Sequence, residues 1–353
     1  MKIRFLQAFN GDSIWISFKK NDVTRNIIID GGIGDTYENR LKRKGDLFDT
    51  IEYIKNNKQN IDLLVLTHFD DDHIGGILRW LNKDKEAPTL IKKVWFNSGK
   101  EIAKELHIEE NLDLKIEIKE GEDDFYTSTN QGIKFEEYLS KNQLWDGKII
   151  KQGNEIDLLG LKFKILSPNI DSLKNLLELY KKEEDYFTSG GEFDFETSLK
   201  DFTEEESKPK FKFNEDKSIP NGSSIAFVME YKGKNFLFLG DAHPSVVVEG
   251  LKKFDIDKEN SLQAELIKIS HHGSKHNTNS ELLSMIMTDN YLISSNATKH
   301  GLPNKRTISR IIKANPNANV FFNYENLIER IFTNDDVATF KNFTPTFKTE
   351  FDY

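Results

Sequence analysis

All but one of the eight histidines in this 353-residue chain lie in short polar loops, and several of those loops directly follow an apolar run. His68 and His73 stand in Thr67-His68-Phe69-Asp70-Asp71-Asp72-His73-Ile74-Gly75-Gly76, behind the continuous apolar segment that ends at Leu66. His243 stands in Leu239-Gly240-Asp241-Ala242-His243, and His271, His272 and His276 in Ser270-His271-His272-Gly273-Ser274-Lys275-His276. His300 precedes Gly301-Leu302-Pro303, and only His107 has no such setting. A chain of this kind must bring strand ends to polar loops, which is how α/β sites are built.

The surrounding pattern supplies the strands. Ile3–Phe9, Ser13–Phe18 and Asn26–Asp30 are short β-branched and aromatic runs separated by turn residues. Asp46–Lys58 has an apolar stripe at Leu47, Ile51 and Ile54, and Ile74–Leu81 reads as a second helix. Strands are also expected over Val94–Phe96 and Lys162–Leu166, and Ser224–Tyr231 with Asn235–Leu239 read as a hairpin through Lys232-Gly233. Beyond it, helices over Ser245–Phe254, Ser280–Thr288 and Asn304–Ala314 alternate with strands over Ala264–Ile269, Tyr291–Ser294 and Val320–Asn323. The two ends mirror each other, so the expected fold is α+β, a four-layer αββα sandwich with helices outside two facing sheets. One domain is expected over 1–325. It carries a charge-rich acidic insertion at about 173–220, read as a helix followed by a solvated loop, a lid or a docking surface. Residues 326–353 read as a tail.

Composition removes several function classes. There is no cysteine, hence no disulfide, thiolate metal site or cysteine nucleophile. No apolar run reaches membrane-spanning length, and the start lacks a secretory pattern, so a cytoplasmic protein is expected. The formal charge of -9 excludes a general basic coat for nucleic acid.

The loops carry the chemistry. Imidazole nitrogens and carboxylate oxygens are the ligand types for divalent ions when thiolates are missing. In the first loop His68 and Asp70 are spaced to point one way from an extended chain, while Asp72 and His73 point another, so the loop can serve two neighbouring ions. An acidic turn with two surface histidines is the competing reading, disfavoured by four ligand-type residues in six positions. Asp241 ends a strongly apolar strand and could bridge two ions; otherwise it caps the next helix. Two adjacent histidines cannot both face one ion from an extended chain. One of His271 and His272 is therefore expected as a ligand and the other as a supporting or substrate-facing group.

The run His68-x-Asp70-x-Asp72-His73-x-Gly75-Gly76 resembles the signature of the metallo-β-lactamase fold superfamily, with Asp70 where His is usual. Together with Asn10-Gly11-Asp12-Ser13, Asp30-Gly31-Gly32, Asn221-Gly222-Ser223-Ser224-Ile225, Gly240-Asp241 and His271-His272-Gly273-Ser274, it is similar to the branch typified by the hydrolase domain of ComEC. The resemblance implies two divalent ions, zinc or manganese. His68 and Asp70 would hold one ion and Asp72, His73 and His271 the other, with Asp241 bridging. Asp30 would be structural. The branch lacks a further superfamily histidine. His107 has the wrong context for it, and Asn221 or Ser223 falls nearest its place. An oxygen-rich first site would favour manganese or magnesium over zinc.

The expected activity is metal-dependent hydrolysis, with a phosphodiester or nucleic-acid substrate favoured by the branch. Asp72 would orient the water, and His243, His272 and His300 would hold substrate or protonate the leaving group. Lys299, Lys305, Arg306 and Arg310 surround His300 in sequence and offer a local phosphate site, together with the amides of the helix that follows. The competing reading for these cations is a solvated helix face. Alternatives are a lactone, thioester or β-lactam hydrolase, or a metal-stabilised partner protein that docks through the acidic insertion.

Overall fold

The computed structural model describes residues 1–108, 128–182 and 191–353. β1 (Lys2–Phe5), β2 (Ile14–Lys20) and β3 (Val23–Ile29) form an antiparallel meander that β4 (Leu63–Val65) and β5 (Val94–Trp95) extend in parallel. β6 (Glu155–Leu158), β7 (Leu161–Ser167), β8 (Ala226–Tyr231) and β9 (Lys234–Phe238) are antiparallel neighbours in a second sheet. The chain then forms β10 (Leu262–Gln263), β11 (Leu266–Lys268), β12 (Ile286–Met287), β13 (Asn290–Ile293), β14 (Asn319–Phe322), β15 (Thr344–Phe347) and β16 (Glu350–Asp352). From β9 the second sheet continues in parallel through β11, β13, β14 and β15, while β10 and β12 pair separately.

Side chains alternate between the faces of each strand. Ile27 and Ile29 of β3 meet Phe163, Phe227 and Phe238 of the second sheet in an inner core, while Ile28 packs outward with Ile51, Ile77 and Trp80. Leu237 of β9 likewise packs outward with Val247, Leu251 and Ile308, all from helices. The layers are therefore helix, sheet, sheet, helix, an αββα sandwich. The helix Asp46–Asn56 buries Leu47, Ile51 and Ile54, and Asp71–Lys83 buries Ile74, Ile77, Trp80 and Leu81. Full burial of each large apolar side chain contributes about 1.5–3 kcal/mol, which is what seats these helices. The β8–β9 turn at Lys232-Gly233 has both residues at positive φ, as a two-residue hairpin requires.

Three expectations are revised. Residues 326–353 are not a tail: β15 lies parallel to β14, and β16 pairs antiparallel with β1, so the last strands belong to both sheets. The segment at 173–220 is not one exposed loop. Helix Ile170–Lys182 buries Leu173, Leu176, Leu177 and Tyr180 against the first sheet's outer core, and Leu199–Glu206 packs on the helix Lys305–Ala314. Residues 183–190, including the end of the Lys-Lys-Glu-Glu-Asp run, lie outside the described residues. The helix expected to Thr288 stops at Ser284, because Ile286 is drawn into the pairing of β12 with Leu262 of β10. Among the described residues no helix is long and apolar enough to cross a membrane.

Candidate metal centre

The parallel strands of both sheets deliver their C-terminal ends to one edge. Asp30 follows β3, Thr67 and His68 follow β4, Asp241 follows β9, His271 and His272 follow β11, and Ser294 follows β13. Asp72 and His73 open the helix Asp71–Lys83. Two glycines let the backbones close up. A Cβ on Gly11 would stand 2.0 Å from the carbonyl oxygen of Asp72, and one on Gly76 would stand 2.0 Å from that of Gly31.

Asp241 is the hub. Its Oδ2 lies 4.0 Å from Nε2 of His68, 3.4 Å from Nε2 of His73 and 3.7 Å from Nε2 of both His271 and His272. On one flank Asp70 Oδ2 stands 3.7 Å from His68 Nε2. On the other, Asp72 stands 4.0 Å from His73 Nε2 and 3.5 Å from His272 Nε2.

The outer nitrogens are tied back, which aims the inner ones. His73 Nδ1 donates to Asp30 Oδ2 at 2.8 Å. Asp30 also accepts from the Thr67 amide and hydroxyl, at 2.8 and 2.7 Å. With its proton given to Asp30, the Thr67 hydroxyl accepts from His68 Nδ1 at 3.1 Å, and Ser224 Oγ lies at the same distance. His272 Nδ1 donates to the Ser294 carbonyl at 3.0 Å, and His271 Nδ1 donates to Asn277 Oδ1 at 3.0 Å. These are the supports that fix tautomer and ring orientation in a metal-binding histidine.

The paired histidines depart from the extended backbone assumed for them. His271, His272 and Gly273 take φ of 46°, 52° and 85°. This left-handed run turns both rings toward Asp241. His272, expected opposite a substrate, is the one that approaches Asp72. His271, expected to join Asp72 and His73, instead lines the outer side toward Asp216, 3.5 Å away.

Asp12, His73, Asp241 and His272 each offer a ligand-type atom, all within 4.8 Å of one another. Asp12 is better read as support. Its carboxylate is ion-paired with the buried Lys268, and it faces Nδ1 of His272 at 3.4 Å, the nitrogen already directed away from Asp241. Neither Asp12 nor Lys268 had been singled out for a role. The available signal was a lysine inside the apolar strand β11.

Burial and charge set the protonation of the metal-free cluster. Burial, reinforced by His73, lowers the pKa of His68 to about 3. Burial also pulls on His272, but Asp12 and Asp241 outweigh it and raise its pKa to about 10. His73 is raised well above its ordinary value, again against burial, by Asp241 and Asp30. Asp241 stays ionised despite burial because His73, His271 and His272 surround it. Two protonated imidazoles thus balance the carboxylates. The buried Nε2 atoms of His68, His73 and His272, and Oδ1 of Asp241, have no hydrogen-bond partner among the described residues. Inward nitrogens without partners around a shared carboxylate fit divalent cations, which would take the place of those protons.

The remaining candidates lie further out. His243 caps the helix Pro244–Lys252, with Nε2 3.8 Å from Asp216. Half-buried His300 sits at φ 58°. Burial lowers its pKa against the raising effect of Asp72. Asn221 reaches His271 Nδ1 at 3.3 Å, whereas Ser223 bonds only back to Pro220. His276 donates to the Asn214 carbonyl, and exposed His107 stands apart from the cluster.

The expected basic patch is not available to a ligand. Lys305 is fully buried and paired with Asp336 at 2.5 Å. Arg306 meets Glu205 at 2.7 Å, and Arg310 meets Glu206 at 2.7 Å. The helix amides of Lys305 and Arg306 are capped by Asp194, at 2.6 and 3.2 Å. The insertion therefore neutralises this helix from within the chain, and the same contacts engage the acidic side chains that had been read as a docking surface.

A family model described as the metallo-beta-lactamase superfamily matches residues 8–137. ComE operon protein 3 of Bacillus subtilis (strain 168) is 19% identical over 278 residues, covering 76% of this chain and 25% of that protein. The chain thus spans about a quarter of that relative's length. Among solved structures, the metallo-beta-lactamase fold protein YhfI from Bacillus subtilis aligns over 99% of both chains at 9% identity with a TM-score of 0.40. A CmlA beta-hydroxylase mutant aligns over 99% of this chain and 53% of its own at 9% identity, with a TM-score of 0.40. The matched segment carries Gly11, Asp12, Asp30 and the whole His68–His73 loop, all of which meet at the junction of the two sheets: the chain is a ComEC-like member of the metallo-β-lactamase superfamily.

Proposed function

We propose that this hydrolase cleaves phosphodiester bonds with the help of two divalent ions, manganese or zinc. The observation that carries the metal part is the convergence of four imidazole Nε2 atoms on one oxygen of Asp241, with Asp70 and Asp72 on opposite flanks. His68 and Asp70 would hold one ion, Asp72, His73 and His272 the other, and Asp241 both. When bound, such ions supply Lewis acidity and a water of lowered pKa. The chain's own contribution is placement. Asp30, Thr67, Asp12 and Asn277 hold the imidazole tautomers, and Asp72 provides a carboxylate at the cluster's rim to orient the nucleophile. His300, kept neutral near pH 7 by burial, is suited to hydrogen-bond a substrate oxygen rather than to donate a full proton.

The phosphodiester part rests on the likeness to the ComEC-like branch. A second reading, an acyl hydrolase acting on a lactone or thioester, draws on the pairing of Lys305, Arg306 and Arg310 with carboxylates, which removes the cations a polyanion would seek. The test is a panel of DNA, RNA, simple phosphodiesters, lactones and thioesters with protein loaded with manganese or with zinc. Turnover of phosphodiesters supports the proposal. Turnover of acyl substrates alone overturns it.

A further inference from the structure

We propose that Asp216, delivered by the acidic insertion, is a positioning residue for His271 and that it makes the insertion an integral part of the metal centre; this rests on the metal-binding reading above. Asp216 Oδ2 accepts from Asn221 Nδ2 at 2.7 Å and from Asn277 Nδ2 at 2.9 Å, and it lies 3.5 Å from His271 Nδ1. Its other oxygen accepts from the Ser218 amide at 2.9 Å. Asn277 passes the restraint inward: its Oδ1 accepts from His271 Nδ1, and its Nδ2 also donates to the Asp241 carbonyl at 3.0 Å. One carboxylate therefore fixes both amides that flank the outer nitrogen of His271, leaving Nε2 directed at Asp241.

The loop is built to hold that carboxylate in place. The Asp216 amide donates to the His276 carbonyl at 3.1 Å, and His276 Nδ1 donates to Asn214. Glu215 accepts from the amide and hydroxyl of Ser245, at 2.8 and 2.9 Å. The chain has no third superfamily histidine on the His68–Asp70 flank. His271, turned to Asp241 and oriented from behind by Asp216, is the imidazole that this arrangement makes available to that flank. Carboxylate–imidazole–metal support of this kind typically changes metal affinity by about 10–100-fold when removed.

The experiment compares Asp216→Asn, Asp216→Glu, Glu215→Ala and Asp241→Asn in the full chain. It uses manganese and zinc titrations and the absorption spectrum of the cobalt-loaded protein. Asp216→Asn is expected to weaken one of two bound ions by about 10–100-fold and to change the cobalt spectrum. Asp216→Glu should recover part of that affinity. Glu215→Ala, which frees the loop from Ser245 without touching His271, should bind both ions as the wild type does. Wild-type affinity and spectrum in Asp216→Asn, with binding lost in Asp241→Asn, overturn the role of Asp216 alone. Equal weakening by Asp216→Asn and Glu215→Ala also overturns it, because the loop would then be merely structural. Wild-type binding in Asp241→Asn overturns the metal centre itself.

Discussion

His73 and Asp30 are joined by a 2.8 Å hydrogen bond between two fully buried side chains that come from the start of a helix and the end of a strand. Asp30 sits at φ 57° and uses its remaining capacity on Thr67, which in turn holds His68. One carboxylate therefore orients two imidazoles, one on each flank of the cluster. Asp30→Ala would leave buried donors on His73 and Thr67 without their acceptor, each costing about 1–3 kcal/mol. The expected outcome is a lower Tm and metal affinity reduced by about 10–100-fold. Calorimetric titration of the folded variant checks it, and unchanged affinity would refute the link.

The first loop separates rate from folding. Asp72→Ala is expected to reduce hydrolysis by orders of magnitude, because the variant loses the carboxylate that faces His73 and His272. His107→Ala, on an exposed position away from the cluster, should keep near wild-type activity. Turnover numbers on whichever substrate the panel identifies decide it, and similar losses in both variants would show that the site is misplaced.

Metal affinity should rise with pH. His272 holds its proton to about pH 10, and His73 is also raised, so ions must displace protons from both. About two protons should appear in weakly buffered solution when metal is added near pH 7, and fewer as the pH approaches 10. The metal-free chain has the opposite dependence above neutrality. His272 has a folded pKa above its unfolded value near 6.5, so its stabilisation is full below about pH 6.5 and fades as the pH rises toward about 10. His68, lowered to about 3, removes stability as the pH falls below about 6.5. Asp241, depressed in the folded chain, loses its contribution only in acid, as the pH falls toward its folded pKa. Melting of chelator-treated protein should therefore be most resistant near pH 6–7. A flat profile would contradict this assignment of protons.

Arg310 is a structural cation. Arg310→Ala is expected to destabilise the chain by roughly 3–5 kcal/mol, because it leaves Glu206 buried without its partner. The salt dependence of substrate binding should not change, since the guanidinium is already committed to Glu206 and to the carbonyls of Lys275 and Thr278. Urea unfolding and binding at two ionic strengths separate the two outcomes. A flatter salt dependence with unchanged stability would restore the phosphate-binding role.

What the sequence determined by itself was local. Alternation in β3 and β9, the apolar run before Thr67, the turn at Lys232-Gly233 and the histidine loops all follow from residues close together in the chain. They were sufficient for the αββα fold and for naming the loops that meet at the centre. Tertiary structure decided what depends on distant partners. Asp216 looked like one more charge in an acidic stretch until Asn221, Asn277 and His271 were placed around it. Lys305, Arg306 and Arg310 looked available until the helix Leu199–Glu206 and Asp336 were packed against them. The order of His271 and His272 depended on two left-handed residues in succession, which side-chain spacing cannot reveal. Residues 350–352 became the edge of the first sheet because β1 had an open side, a vacancy defined at the opposite end of the chain. Local pattern fixes which groups can bind or pair. Only packing brings the neutralising partner within reach, and the Coulomb energy that then decides a side chain's role falls with that distance.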